Sequence, residues 1–147
     1  MSEQPHASGP EKPRWLVLYD ADCGLCTWLL AGLLRWDLAA RLRPLALQSA
    51  EAELLLHELT PAERMASWHL VSPGGERRAG GAALSGLLAL LPAGRLPAAA
   101  LERLPAVTDV GYRWVANHRS RLSRLLPRGA KQRAAHLVRE RERRDAR

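Results

Sequence analysis

The chain has 147 residues, 47% of them hydrophobic, which suits one globular domain with a real core and excludes both a disordered chain and two comfortable domains. The net charge of +7 is lopsided: residues 119–147 hold 11 of the 22 Lys and Arg but only 3 of the 15 Asp and Glu, so the body is near neutral and the basic character belongs to the C-terminal end. Phe and Ile are absent while Arg, Ala and Leu abound, a coding bias that weakens any argument from arginine abundance alone.

Residues 1–13 are polar and contain proline. They lack the apolar core of a signal peptide and read as a disordered leader. The longest apolar stretches, such as residues 82–91, fall short of the roughly 20 residues of a membrane span, so a cytoplasmic location is expected. Residues 15–19 form an apolar run that reads as a buried central strand, and an apolar helical pattern follows from Cys23 or Leu25 to about Leu38. Residues 41–47 alternate as a second strand, which Pro44 pushes toward a sheet edge or a bulge. Residues 49–59 read as a short helix with Glu51 and Glu53 in its first turn, and Thr60-Pro61-Ala62-Glu63 has the cap, proline and glutamate of another helix start.

A third strand is predicted over 68–71, a turn at Ser72-Pro73-Gly74-Gly75, and a returning fourth strand over 76–79. Helices are expected over 80–91 and 98–104. A longer amphipathic one is expected over 107–126, with Val110, Trp114, Val115, His118, Leu122 and Leu125 on its buried side. Beyond Pro127 the chain reads as a solvated or frayed basic helix, dispensable for chemistry.

The only two cysteines, Cys23 and Cys26, stand at the junction of the first strand and first helix. There the helix amides favour a thiolate, and a Cys-x-x-Cys pair suits dithiol–disulfide exchange. Cys23 would attack and be the more exposed, and Cys26, one turn in, would resolve the mixed disulfide. Asp20 and Asp22 oppose the amides, because a nearby carboxylate disfavours a second negative charge. The plainer alternative is two small buried residues at a packed turn.

Other readings have less behind them. Structural zinc needs four ligands, and His6, His57, His69, His118 and His136 show no paired spacing. Asp20-x-Asp22 also suggests the nucleophile of a haloacid dehalogenase-type phosphatase, but Lys12 and Lys131 lie in the two tails and no Asp-Asp pair exists. Residues 75–81 are glycine-rich without the Gly-Lys-Ser/Thr of a phosphate loop. His69 reads as a satisfied core histidine. The segment from Tyr112 to Arg121 mixes aromatics with arginines, which would suit nucleic acid or an acidic partner; the plainer reading puts Trp114 in the core and the arginines in water.

The β-α-β-α-β-β-α order with Cys-x-x-Cys after the first strand is the thioredoxin-like layout. Tyr19-Asp20-Ala21-Asp22-Cys23-Gly24-Leu25-Cys26 resembles the Asp-x-x-Cys-x-x-Cys signature of the DCC family, thioredoxin-like thiol–disulfide oxidoreductases. Residues 67–71, 80–91 and 112–119 resemble later parts of that family. The resemblance makes Asp20, Cys23 and Cys26 the signature residues, with the cysteines as the redox centre. Many members have glycine where this chain has Ala21, and Ala66-Ser67 stand where ordinary thioredoxins have a proline before the third strand.

The reading is therefore an α/β thioredoxin-like domain over 14–126, with a mixed sheet of about four strands and extra C-terminal helices, then a basic tail over 127–147. It is expected to reduce disulfides of proteins or small molecules, with no cofactor, no metal, no membrane span and no nucleic-acid partner; the oligomeric state stays open. The rival function is a non-catalytic thioredoxin-like binding module whose basic C-terminal helix meets an acidic partner or nucleic acid.

Overall fold

The structure, a computed structural model, describes residues 12–147, so all but the end of the expected leader lies outside it. The elements run β1 (Trp15–Tyr19), α1 (Gly24–Trp36), β2 (Leu42–Ala46), α2 (Ala50–Leu55), α3 (Pro61–Ala66), β3 (His69–Val71), β4 (Arg77–Ala79), α4 (Gly80–Leu90), α5 (Arg95–Arg103), α6 (Pro105–Leu125) and α7 (Arg128–Asp145). One mixed four-stranded sheet has the order β2-β1-β3-β4. β1 pairs parallel with β2 and antiparallel with β3, and β3 pairs antiparallel with β4. This is the α/β layout expected from the sequence, with β1 central and Pro44 on the edge strand β2, where a missing N–H is tolerated.

Alternation along β1 sends Val17 and Tyr19 to one face and Leu18 to the other. The first face carries the main core, with Leu30 and Leu34 of α1, Ala83 and Leu87 of α4, and Ala134 and Val138 of α7. The second is closed by Ala52 of α2 and Leu56, with Leu59 and Met65 at its margin. α3 opens as its sequence predicts: the Thr60 hydroxyl accepts the Glu63 N–H and the Glu63 carboxylate accepts the Thr60 N–H. Gly80 has φ +59 at the β4–α4 junction, with the Tyr112 ring 3.7 Å from where a Cβ would stand, so glycine meets both demands.

Two expectations fail in the C-terminal third. The basic tail is not solvated or frayed: α7 packs along α1 and β2, and its Ala134 and Val138 are buried. Its apolar positions are small and set among arginines, so composition hides them. Arg141 of α7 reaches the buried Asp37 carboxylate at 3.2 Å and the Leu42 carbonyl at 3.3 Å, and Tyr19 donates its hydroxyl to Glu142 at 2.9 Å. Arg14 and Arg141 both pair with Asp145.

The second failure is the face of α6. Val110, Trp114 and Leu125 are exposed, with Trp114 at 55% and stacked on His118. The inward side carries Tyr112, Ala116, Arg119 and Leu122. Apolar periodicity alone missed this phase because the packed positions include a tyrosine and an arginine.

Candidate redox site

Cys23 is the N-cap of α1, in extended conformation, so its sulfur replaces the missing acceptor at the helix start. The Cys23 sulfur accepts the Cys26 N–H at 3.3 Å, and the two cysteines come within 2.8 Å of each other as free thiols. The Thr27 hydroxyl donates to the Cys23 carbonyl at 3.1 Å and holds the first turn closed. Gly24 must be small: a Cβ there would stand 2.8 Å from both the Lys131 stem and the Ser123 hydroxyl, where the α6–α7 corner rests on the motif.

The expected difference in exposure is absent. Cys23 is 9% exposed and Cys26 8%, and Leu25, Trp68, Leu122 and Leu126 pack around them. The sequence reading placed nothing over the attacking thiol, because the covering residues come from a helix about 100 positions downstream. The two thiols nevertheless differ electrostatically. The Cys23 pKa is lowered to about 6, first by the hydrogen bond from the Cys26 thiol, then by the Cys26 N–H and the Arg119 guanidinium; burial and Asp20 oppose this. The Cys26 thiol is pushed far up, first by donating that hydrogen bond to Cys23, then by burial and the neighbouring negative charge. The surroundings therefore favour ionisation of Cys23 ahead of Cys26.

Asp20 stands beside the pair as the sequence suggested. Its carboxylate accepts the Asp22 N–H at 3.0 Å and the Gln48 amide at 2.7 Å, and it pairs with Arg119 at 3.4 Å. Asp22 lies at the exposed side, where its carboxylate accepts the same Gln48 amide at 3.3 Å. Among the described residues, no group of three or more His, Cys, Asp or Glu is arranged to hold a metal ion.

Gln48, Trp68, Tyr112 and Arg119 belong to this site and were not identified as site residues from sequence. The Trp68 N–H donates to the Tyr112 hydroxyl at 2.8 Å, and the Trp68 carbonyl accepts the Gly80 N–H at 3.1 Å. Trp68 stands immediately before β3, and both of its main-chain groups are engaged within the protein. Burial raises the Tyr112 pKa, so the phenol stays protonated beside the thiolate. The mixture of aromatics and arginines over 112–119 was the available signal, but without the fold nothing tied it to Cys23.

A family model described as DCC1-like thiol-disulfide oxidoreductase matches residues 17–125, well over half of the chain. No curated protein and no solved structure matches it. Among the described residues no helix is long and apolar enough to cross a membrane.

Proposed function

We propose, from the premise that the chain belongs to the DCC1-like thiol-disulfide oxidoreductase family, that Cys23 and Cys26 act as a dithiol that reduces disulfides. The observation that carries this reading is the geometry of the pair: the Cys23 sulfur caps the start of α1 and accepts the Cys26 N–H at 3.3 Å, with the second cysteine 2.8 Å away, an arrangement that favours the thiolate at Cys23 and the thiol at Cys26. The Cys23 thiolate attacks a substrate disulfide, forming a mixed disulfide and releasing one substrate sulfur as a thiolate. Loss of the Cys23 charge removes the acceptor that held the Cys26 proton, so Cys26 becomes easier to ionise. Its sulfur then attacks Cys23, releases the second substrate thiol and leaves a Cys23–Cys26 disulfide. Two electrons have passed to the substrate, and an external dithiol or two external thiols must return them, leaving as their own disulfide.

Asp20 acts as a positioning residue: it braces the loop before Cys23 and holds Arg119 near the thiolate. The thiols lie beneath Leu122 and Leu126, and Trp68 offers no free main-chain group for pairing with a peptide. These features favour a small disulfide over a folded protein as substrate.

Mild oxidation should remove about 2 Da from the peptide holding both cysteines. Two persistently free thiols would sink the proposal. In the reduced protein, the rate of Cys23 alkylation should rise with pH through about 6 and level off above it, the thiolate being the reactive form. Cys26→Ala removes the largest cause of that ionisation and should move the midpoint up toward the ordinary thiol range. Cys26→Ser keeps a donor and should move it less. A Cys26→Ala midpoint equal to that of the unaltered protein would show that the Cys26 thiol does not hold the Cys23 charge.

A further inference from the structure

α1, α6 and the first turns of α7 border a cleft of about 740 Å³, a size that small-molecule sites commonly have. Cys26 lines it, whereas Cys23 does not. Trp28, Leu29 and Val115 line it too, and each is more than a third exposed, so apolar surface there remains to be covered. Two lining positions are glycines inside helices, Gly32 of α1 and Gly111 of α6, and a Cβ at either would meet nothing within 4 Å. Glycine is the weakest ordinary helix former, so these positions sacrifice helix stability where a longer side chain would occupy the cleft.

The charges along the cleft have one sign. Arg35, Arg119 and Arg133 line it and no Asp or Glu does. Arg119 is engaged by Asp20, but Arg35 and Arg133 have no ion-pair or hydrogen-bond partner among the described residues. Apolar walls with unpaired cations complement a molecule with an apolar body and an anionic group. The space is a concavity open to solvent on one side, which suits a free small molecule better than a flat bilayer surface.

We infer that this cleft binds a small organic acid of the medium-chain carboxylate class, its chain along Trp28, Leu29 and Val115 and its carboxylate drawn to Arg35 and Arg133. The occupant lies against Cys26 and so shields the resolving thiol. The inference goes beyond the dithiol reading and does not require it.

Titration of the full-length protein with decanoate, followed by calorimetry, tests it, with decanol as the neutral control. Saturable one-to-one binding of decanoate is expected, with decanol about tenfold weaker or more. Gly32→Leu and Gly111→Leu fill open space without a clash; each should weaken decanoate about tenfold or more while leaving the melting temperature undiminished. The double variant Arg35→Gln, Arg133→Gln should weaken decanoate and leave decanol unchanged. In a Cys23→Ser protein, decanoate should slow maleimide labelling of Cys26, which places the ligand in this cleft even if disulfide exchange proves absent. Three results would overturn the inference: no saturable binding, equal affinity for decanoate and decanol, or binding indifferent to both glycine variants. A concentration-dependent dimer that Gly32→Leu abolishes without ligand would assign the cleft to a second copy of the chain and overturn it as well.

Discussion

Helix α6 carries three valines and a tryptophan yet buries no residue completely, whereas α7, in which charged residues dominate, places Ala134 and Val138 in the main core. α6 presents Tyr112, Arg119 and Leu122 to the redox site, and α7 holds α1 and β2 in place from behind. The difference teaches that the role of a helix follows from what stands on its packed stripe and not from its average polarity. Small apolar residues at helical spacing suffice for α7 because Ala134 and Val138 enter the main core while Arg141 pairs with Asp37 and Asp145 beside them. Neighbouring α6 serves the chemistry with polar groups that an apolar-periodicity argument discards. The family match ends at residue 125, the last of α6, so α7 lies outside the matched region while completing its core.

Ending the chain at Pro127 is the strongest way to break this comparison. It would uncover Leu30, Leu34 and Leu42, which share the core with Ala134 and Val138, and would leave the Asp37 carboxylate without its guanidinium. We expect a loss on the order of 5 kcal/mol, comparable to the whole stability of a domain this size, and no cooperative thermal transition by circular dichroism. A cooperative melt within a few degrees of the full chain would restore the sequence expectation of a dispensable tail.

Arg141→Ala probes the same division with one side chain. The Asp37 carboxylate is 1% exposed and would keep only the Arg41 and Leu42 N–H donors at 3.0 and 2.9 Å. A buried carboxylate that loses its cation typically costs about 3 kcal/mol, read as a lower midpoint in urea with an unchanged slope. The double variant Asp37→Asn, Arg141→Met should recover part of that loss. A cost below about 1 kcal/mol for Arg141→Ala would mean that the Asp37–Arg141 pair contributes little to holding α7.

The same contrast explains what could be seen in the sequence. β1, α1 and the cysteines are neighbours in the chain, so apolar run, turn and helix entry stand in one legible string, and the sheet follows from local pattern and turn chemistry. The capping box at Thr60 and the edge position of Pro44 are likewise local. Arg119, Tyr112 and the Leu122–Leu126 cover meet the site across about 100 residues, and nothing local to them marks that destination. Asp37 and Arg141, 104 positions apart, were invisible for the same reason.

Charge changes on the α6 side should move chemistry and leave the fold. Arg119→Gln removes a cation that favours the Cys23 thiolate and should raise the midpoint of its alkylation profile, by about one unit or less. Asp20→Asn removes a carboxylate that opposes the thiolate and should lower it. Because Asp20 also engages Arg119, the shift of the double variant should differ from the sum of the two opposed single shifts. If Asp20→Asn raises the midpoint, the carboxylate acts chiefly by holding Arg119 in place, not by repulsion.

The smallest effect separates two aromatic residues on α6. Trp114 is the larger side chain and the sequence placed it in the core, yet it is 55% exposed and its ring contact is a stack on His118 at 4.5 Å between centroids. Tyr112, two positions earlier and therefore on another face, provides the acceptor for the Trp68 N–H at 2.8 Å. Tyr112→Phe leaves that N–H unpaired in a part-buried position and should cost about 1–2 kcal/mol in denaturant unfolding while altering Cys23 reactivity. Trp114→Ala should cost about 0.5 kcal/mol or less, since an exposed residue away from the core has little burial to lose. It should also leave the Cys23 profile unchanged, because no contact links Trp114 to the thiols. A loss above 1 kcal/mol for Trp114→Ala would mean that the exposed side of α6 is covered in solution, and the contrast between the two helices would have to be redrawn around a partner on that face.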